Sequence, residues 1–247
     1  MKIFALETSA RAVSVAVTES GVVLASACQN TGLTHSRTLM PLAENLLRGI
    51  GLTAREMDLF AVAAGPGSFT GIRIGVAAAK GLAYGAERPA VGVSTLAAMA
   101  RGVALFDGLI VAAMDARRQQ VYEATFRAGG GALSRLTPDR AVSLADLSAE
   151  LSGQTTPILT VGDGAELCAA YLNAHGVACR TAPPHLIMQN AVSVALEAET
   201  LPESGYVSAG DLRPVYLRPP QAVPLRERLN GIERSENLRT EERSVKK

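Results

Sequence analysis

The sequence predicts an α/β protein of two lobes, each opening with a β-meander and closing with helices. Three observations lead there. Apolar residues make up 48% of the 247-residue chain while aromatics make up 4%, with no Trp, so the core must be built from Ala, Val, Leu and Ile in closely spaced layers. Short β-runs open the chain, and strand and helix periodicities then alternate. The opening pattern also returns. Placing Glu7 on Asp115 aligns Ala5 with Ala113, Val13 with Val121, Ala16 with Ala124 and Gly21 with Gly129 without a gap. A repeat this long is not a solenoid; it reads as one supersecondary unit, βββαβα, duplicated into two lobes.

In chain order, residues 3–7, 12–18 and 22–28 read as strands, separated by the polar turn Thr8-Ser9-Ala10-Arg11 and by Glu19-Ser20-Gly21. A helix follows with Leu39, Leu42, Ala43, Leu46, Leu47 and Ile50 on a wide apolar arc, ended by Gly49 and Gly51. Next come a strand from Leu59 to Ala63, a helix from Phe69, a strand from Ala90 to Val93 and a helix from Thr95. The second lobe restarts at Leu109 to Asp115. It continues with strands at Ala132 to Leu136 and Ile158 to Val161, and helices at Leu144 to Leu151, Glu166 to Ala174 and Ala191 to Leu201. The expected division is 1–104 for the N-terminal lobe, 105–220 for the C-terminal lobe and 221–247 for a charged, flexible tail holding seven Lys/Arg against five Asp/Glu.

Cys28, Cys168 and Cys179 are odd in number and lack CxxC spacing, which points to neither a disulfide framework nor a zinc site. The start, MKIFALE, reaches a charge after four apolar residues, too soon for a signal peptide. A soluble, cytoplasmic chain is the expectation. Outside the tail the charges nearly balance, so composition marks no general phosphate-binding face. RNA contact would have to come from a local patch or the tail.

The stretch Ala64-Gly65-Pro66-Gly67-Ser68-Phe69-Thr70-Gly71-Ile72-Arg73-Ile74-Gly75 joins a strand to a helix through a glycine turn. Two readings stand. A helix N-terminus behind such a turn is a possible anion site, but the stretch lacks the Gly-Lys-Ser/Thr of a Walker loop and has Thr70 where a dinucleotide fingerprint needs glycine. The other reading is tight packing, because Gly71, Gly75 and Ala78 recur at helical spacing and make a smooth strip for close backbone approach.

These residues carry a resemblance. GPGSFTGIRIG is similar to the signature of the TsaB family of the bacterial tRNA threonylcarbamoyladenosine pathway. The likeness extends through Phe4-Ala5-Leu6-Glu7-Thr8-Ser9, His35 to Pro41, Val91 to Leu96, Asp115-Ala116-Arg117, Val121-Tyr122 and Pro214-Val215-Tyr216-Leu217-Arg218. It implies the two-lobed actin and sugar-kinase-like, ribonuclease H-like fold. It also implies a non-catalytic subunit that binds and activates TsaD, which transfers a threonylcarbamoyl group to the adenosine next to the anticodon in tRNAs reading codons that begin with A. The implied partners are TsaD, the ATPase TsaE, a second copy of the chain when alone, and tRNA through the complex. Metal and threonylcarbamoyl-adenylate would sit in TsaD and ATP in TsaE, with no cofactor in this chain.

In the superfamily's ATPases, acids on the first strand of each lobe stand beside glycine turns that wrap phosphates. Glu7 and Asp115 occupy those places, but their turns, Thr8-Ser9-Ala10 and Ala116-Arg117-Arg118, lack glycine. A free-standing ATPase or sugar-kinase-like enzyme using both acids is the alternative, with Gly162-Asp163-Gly164 as a candidate adenosine turn. The other reading has these acids satisfied by nearby backbone N–H groups. Where TsaD carries two histidines one turn apart, this chain reads Thr95 and Met99, neither a substitute for imidazole at a hard metal site. Of His35, His175 and His185, none pairs with another at ligand spacing, and His35 reads as a structural histidine at the start of a helix. A partner interface is expected on Leu39, Ala43, Leu46 and Ile50 of one helix and Gly71, Gly75, Ala78 and Leu82 of the next; internal packing of both strips is the competing reading.

Overall fold

The computed structural model describes residues 1–218; the tail expectation for 221–247 lies outside the described residues. The chain opens with β1 (Lys2–Glu7), β2 (Val13–Glu19), β3 (Val22–Gln29), α1 (His35–Gly49), β4 (Leu59–Gly65), α2 (Phe69–Ala86), β5 (Ala90–Ser94) and α3 (Thr95–Arg101). It continues with β6 (Gly108–Asp115), β7 (Gln120–Gly129), β8 (Ala132–Arg135), β9 (Arg140–Ser143), α4 (Leu144–Leu151), β10 (Ile158–Val161), α5 (Ala165–Ala174), β11 (Arg180–Thr181) and α6 (Ala191–Ala198).

The first sheet runs β3-β2-β1-β4-β5 and the second β8-β7-β6-β10-β11, the same order with β9 added against β7. In each, the meander is antiparallel and the two later strands are parallel to the first. The repeated unit is therefore βββαβαβα, one strand and one helix longer than the predicted βββαβα. The ungapped alignment fails at the hairpins. Ala5 faces Ala16 across the first, whereas Ala113 faces Glu123 across the second. The second turn is one residue shorter, and such a slip reverses every side chain beyond it. Ala124 accordingly joins the core on the face opposite Ala113, so the matches of Val13, Ala16 and Gly21 each move by one position.

Each sheet is covered on both faces. Phe4, Leu6, Val15, Val17, Phe60 and Val62 of the first sheet pack under α1 and α2. Its other face, with Ile3, Ala5, Ala16, Leu59 and Ala61, packs on Val194, Ala195 and Ala198 of α6. The second sheet meets α3 through Ile110, Ala112 and Met114 and α4 and α5 through Leu109, Val111 and Ala113. The helices α3 and α6 lie against each other, joined by Arg101 Nε to Glu197 Oε2 at 2.9 Å. Alanines in these helices keep the spacing short, as the composition requires. No helix among the described residues is long and apolar enough to cross a membrane.

Helix starts follow capping chemistry. Ser143 accepts a hydrogen bond from the Asp146 N–H at 3.0 Å, and Asn190 accepts one from the Ser193 N–H at 2.9 Å. Ser143→Ala is expected to remove about 1 kcal/mol, read as a melting temperature lower by roughly 2–4 °C.

Candidate functional site

Two regions gather the residues singled out by sequence. The first lies where the C-terminal ends of β1, β6 and β10 meet. Glu7 is 1% exposed, and its Oε1 accepts the Ser9 N–H at 2.5 Å. Burial pushes its carboxyl up to about 7, against the pull of the Ser9 hydrogen bonds and helped by the charge of Asp163. The carboxyl end of Asp163 is desolvated although the residue as a whole is exposed. That desolvation and the charge of Asp115 raise it, while Gln189, donating at 2.8 Å, opposes them. Asp115 Oδ1 accepts the Arg117 N–H at 2.7 Å. The three acids thus do share one neighbourhood. Among the described residues, however, no group of three or more His, Cys, Asp or Glu is placed to hold a metal.

The turns beside these acids are filled by the chain itself. The Ser9 carbonyl accepts the Ser68 N–H at 2.6 Å, and Ala10 packs against the core of the second sheet. Arg117, Arg118 and Gln119 follow one another at φ of 64°, 55° and 56°, a left-handed run with bulky side chains at the point where a phosphate would need open backbone. A Cβ on Gly162 would meet the Ala113 carbonyl, and one on Gly164 would lie 2.8 Å from the Asp115 nitrogen. Both glycines serve close packing of this turn on β6. Thr95 and Met99 are buried in α3, with the Met99 sulfur beside Gly162. His35 Nε2 bonds the Ala10 carbonyl at 2.7 Å, the structural role read for it.

The second region is the pair α1 and α2, and here the structure corrects the expected interface. Leu39, Ala43 and Leu46 are 1%, 1% and 8% exposed and belong to the core over the first sheet. Gly71 and Gly75 also face inward. A Cβ on Gly71 would overlap the Thr8 carbonyl, and one on Gly75 the Thr8 hydroxyl, while Thr8 Oγ1 donates to the Gly71 carbonyl at 2.8 Å. Glycine is present because the end of β1 lies directly on the helix backbone. Ile50, Ala78 and Leu82 sit half-buried at the core's edge. The outward face is one step round the helix. Arg73, Ala77, Gly81, Tyr84 and Gly85 are exposed and Ile74, Ala78 and Leu82 half-buried, and beyond the adjoining helix backbone nothing lies within 4 Å of a Cβ placed on Gly81 or Gly85. On α1, Met40 is 44% exposed. Periodicity found the strips, but it did not say which one the sheet covers.

The signature turn is clasped by a stretch far along the chain. Val215 N–H donates to the Ala64 carbonyl at 2.8 Å. The Tyr216 ring lies 4.9 Å from that of Phe69, and the Arg73 guanidinium sits 5.0 Å over Phe69. The sequence motifs at Glu7-Thr8-Ser9, Gly65 to Gly75 and Pro214 to Leu217 are therefore one packed unit.

Two mixed sheets of the same strand order, flanked by helices and with acids at the strand ends where they meet, define the actin and sugar-kinase-like class. Comparison with known proteins narrows this. The family described as tRNA N6-adenosine threonylcarbamoyltransferase, TsaD, matches residues 22–182. The tRNA threonylcarbamoyladenosine biosynthesis protein TsaB of Bacillus subtilis is 36% identical over 68% of this chain and 73% of its own length. Its Escherichia coli namesake is 32% identical over 88% of this chain and 95% of its own. A Pseudomonas aeruginosa crystal structure, described as similar to the peptidase YeaZ, superposes with a TM-score of 0.76 at 26% identity, covering 88% of this chain and 99% of that one. The chain belongs to the TsaB family, and its role lies in tRNA threonylcarbamoyladenosine biosynthesis.

Proposed function

We propose that this chain is a non-catalytic, cytoplasmic subunit that pairs with TsaD through the outer faces of α1 and α2. The pairing enables TsaD to transfer the threonylcarbamoyl group to the adenosine next to the anticodon. TsaE is the third member, and the same face joins two copies when TsaD is lacking. Metal and threonylcarbamoyl-adenylate would belong to TsaD. The observation that carries the pairing is the strip of small and apolar residues along α2 in which Ala77 and Gly81 are exposed and Ile74, Ala78 and Leu82 are half-buried. Small residues let a partner helix approach closely, and the apolar area excludes water on contact. Buried Thr95 and Met99, in place of two imidazoles, support a subunit that leaves the chemistry to its partner.

Gly81→Arg tests this, because the position is open and exposed and arginine favours helix more than glycine does. The variant is expected to keep its melting temperature and to bind TsaD at least about 100-fold more weakly, the loss of one well-packed contact of about 3 kcal/mol. Unchanged affinity would move the interface elsewhere. Transfer to tRNA by the purified chain alone would end the subunit reading.

The ATPase alternative fares worse on specific grounds, since the Ser9 carbonyl is already bonded and Gly162 and Gly164 are filled by β6. Mg-ATP titrated into the isolated chain is expected to give no micromolar binding sensitive to a Glu7→Ala, Asp115→Ala double change.

A further inference from the structure

Charge on this chain is balanced overall, with 24 Lys and Arg against 23 Asp and Glu, but it is not evenly distributed. Residues 8–18, 20–43, 59–86 and 212–217 contain no Asp or Glu, and the fold brings these four segments together at one end of the first sheet, where the buried Glu7 and, acting on it, Asp163 are the neighbouring acids. Direct contacts fix the meeting. The Ser9 carbonyl takes the Ser68 N–H at 2.6 Å, Ala10 is bonded to His35 at 2.7 Å, and the Tyr216 ring lies against Phe69, tilted by 32°, with Arg73 over the Phe69 ring. Three exposed arginines follow from that framework, one on each of the first three segments. Arg11 is two residues past Ser9, Arg37 lies in the first turn of α1, and Arg73 lies in the second turn of α2. None of the three forms an ion pair among the described residues. Both helices begin here, and α1 has neither a side-chain cap at Thr34 nor an acid in its first turn. Its free N–H groups add partial positive charge.

We propose that this end of the first sheet is a contact surface for a single-stranded RNA segment, with Arg11, Arg37 and Arg73 meeting phosphates and Tyr216 stacking an unpaired base. Tyr216 is 39% exposed, so one part of its ring is free while Phe69 backs the other. Arg73 lies over the far ring of the pair and holds a guanidinium next to the platform. An aromatic ring backed by a second ring and flanked by unpaired arginines matches the requirements of base stacking on a cationic track. A protein partner of ordinary surface composition would place carboxylates against the arginines but would gain nothing specific from the ring. Sequence alone hid the platform, because Phe69 and Tyr216 are far apart along the chain.

This inference rests on the tRNA-modification reading, and its test separates the two. An unmodified anticodon stem-loop RNA and a duplex of equal length serve as probes, titrated by fluorescence anisotropy into the full chain over a range of salt. The wild-type chain is expected to prefer the stem-loop. The Arg11→Gln, Arg37→Gln, Arg73→Gln variant should bind it at least tenfold more weakly, with a log K against log salt slope smaller by about 2, from three phosphates at about 0.7 each. Tyr216→Leu should weaken stem-loop binding by roughly tenfold and duplex binding hardly at all. Melting temperatures of both variants exclude loss of fold as the cause. A wild-type chain that binds the stem-loop no better than the triple variant overturns the proposal, as does binding that survives the triple change and disappears on removal of residues 221–247. If the triple variant still enhances tRNA modification by TsaD as well as wild type does, the RNA surface is wrong while the subunit reading stands. If wild type itself gives no enhancement, the subunit reading fails.

Discussion

Replacing Gly71 with alanine is expected to cost the folded chain about 3 kcal/mol or more, lowering the melting temperature by roughly 10 °C. A single methyl group has this effect because of where it points. It would enter the volume of the Thr8 carbonyl oxygen, and backbone cannot step aside as a flexible side chain can. The Thr8 hydroxyl also donates to the Gly71 carbonyl, so separating strand and helix breaks a buried hydrogen bond as well. Gly75→Leu should be worse still, with the Thr8 hydroxyl and the Val62 methyl, 3.2 Å from the new Cβ, both in the way. Chemical denaturation of the two variants beside Gly81→Arg checks the assignment of faces. If Gly71→Ala and Gly75→Leu are as stable as wild type but fail to pair with TsaD, the inward and outward faces of α2 have been exchanged.

Glu7→Gln is expected to be more stable than wild type at pH 8 by about 3 kcal/mol, and no more stable at pH 4. The sign follows from linkage. The folded carboxyl titrates near 7, above its ordinary 4.5, so the folded state holds the proton more tightly than the unfolded state. That contribution is complete below about pH 4.5, declines as pH rises and is gone above about 7. A shift of this size corresponds to about 3 kcal/mol, and Glu7 is too buried for solvent to screen it. Glutamine keeps an acceptor for the Ser9 N–H and never ionises. Unfolding free energies of both proteins from pH 4 to 8 isolate the term, since every other group is common to the pair. Parallel curves would show that Glu7 titrates normally and that its burial is compensated in a way the hydrogen bonds do not reveal.

Much of the fold was legible because its signals are local. The helix over Leu144 to Leu151 was read to the residue, since Ser143 caps it and its apolar spacing is regular. The strands β9 and β11 escaped notice. Arg140–Ser143 and Arg180–Thr181 are short and polar, and they are strands only because β7 and β10 offer an edge. The halves were recognised as copies, yet their register was wrong by one, because a run of Ala and Val matches itself equally well after a slip. The candidate site divides in the same way. That Glu7 and Asp115 belong together was readable from the duplication, and the resemblance to the actin and sugar-kinase-like fold added the turn at Gly162. That the glycines of α2 face Thr8 was not, because small residues suit contact with one's own strand as well as with a foreign helix. Gln189, which bonds Asp163 from far along the chain, left no pattern to find.

The position of α6 has a consequence for the order in which the protein is made. The face of the first sheet carrying Ile3, Ala5 and Ala16 is closed by Val194, Ala195 and Ala198, which leave the ribosome nearly two hundred residues later. At about 5–20 residues per second, that face waits for at least about ten seconds with its strands already synthesised. During translation the nascent chain therefore carries an apolar sheet surface that its own first half covers only in part, through Ala98 of α3. A fragment ending at residue 104 would be left permanently in that condition. For this chain the arrival of α6 is the step that converts an aggregation-prone intermediate into the folded protein, and chaperone demand should fall when α6 becomes available.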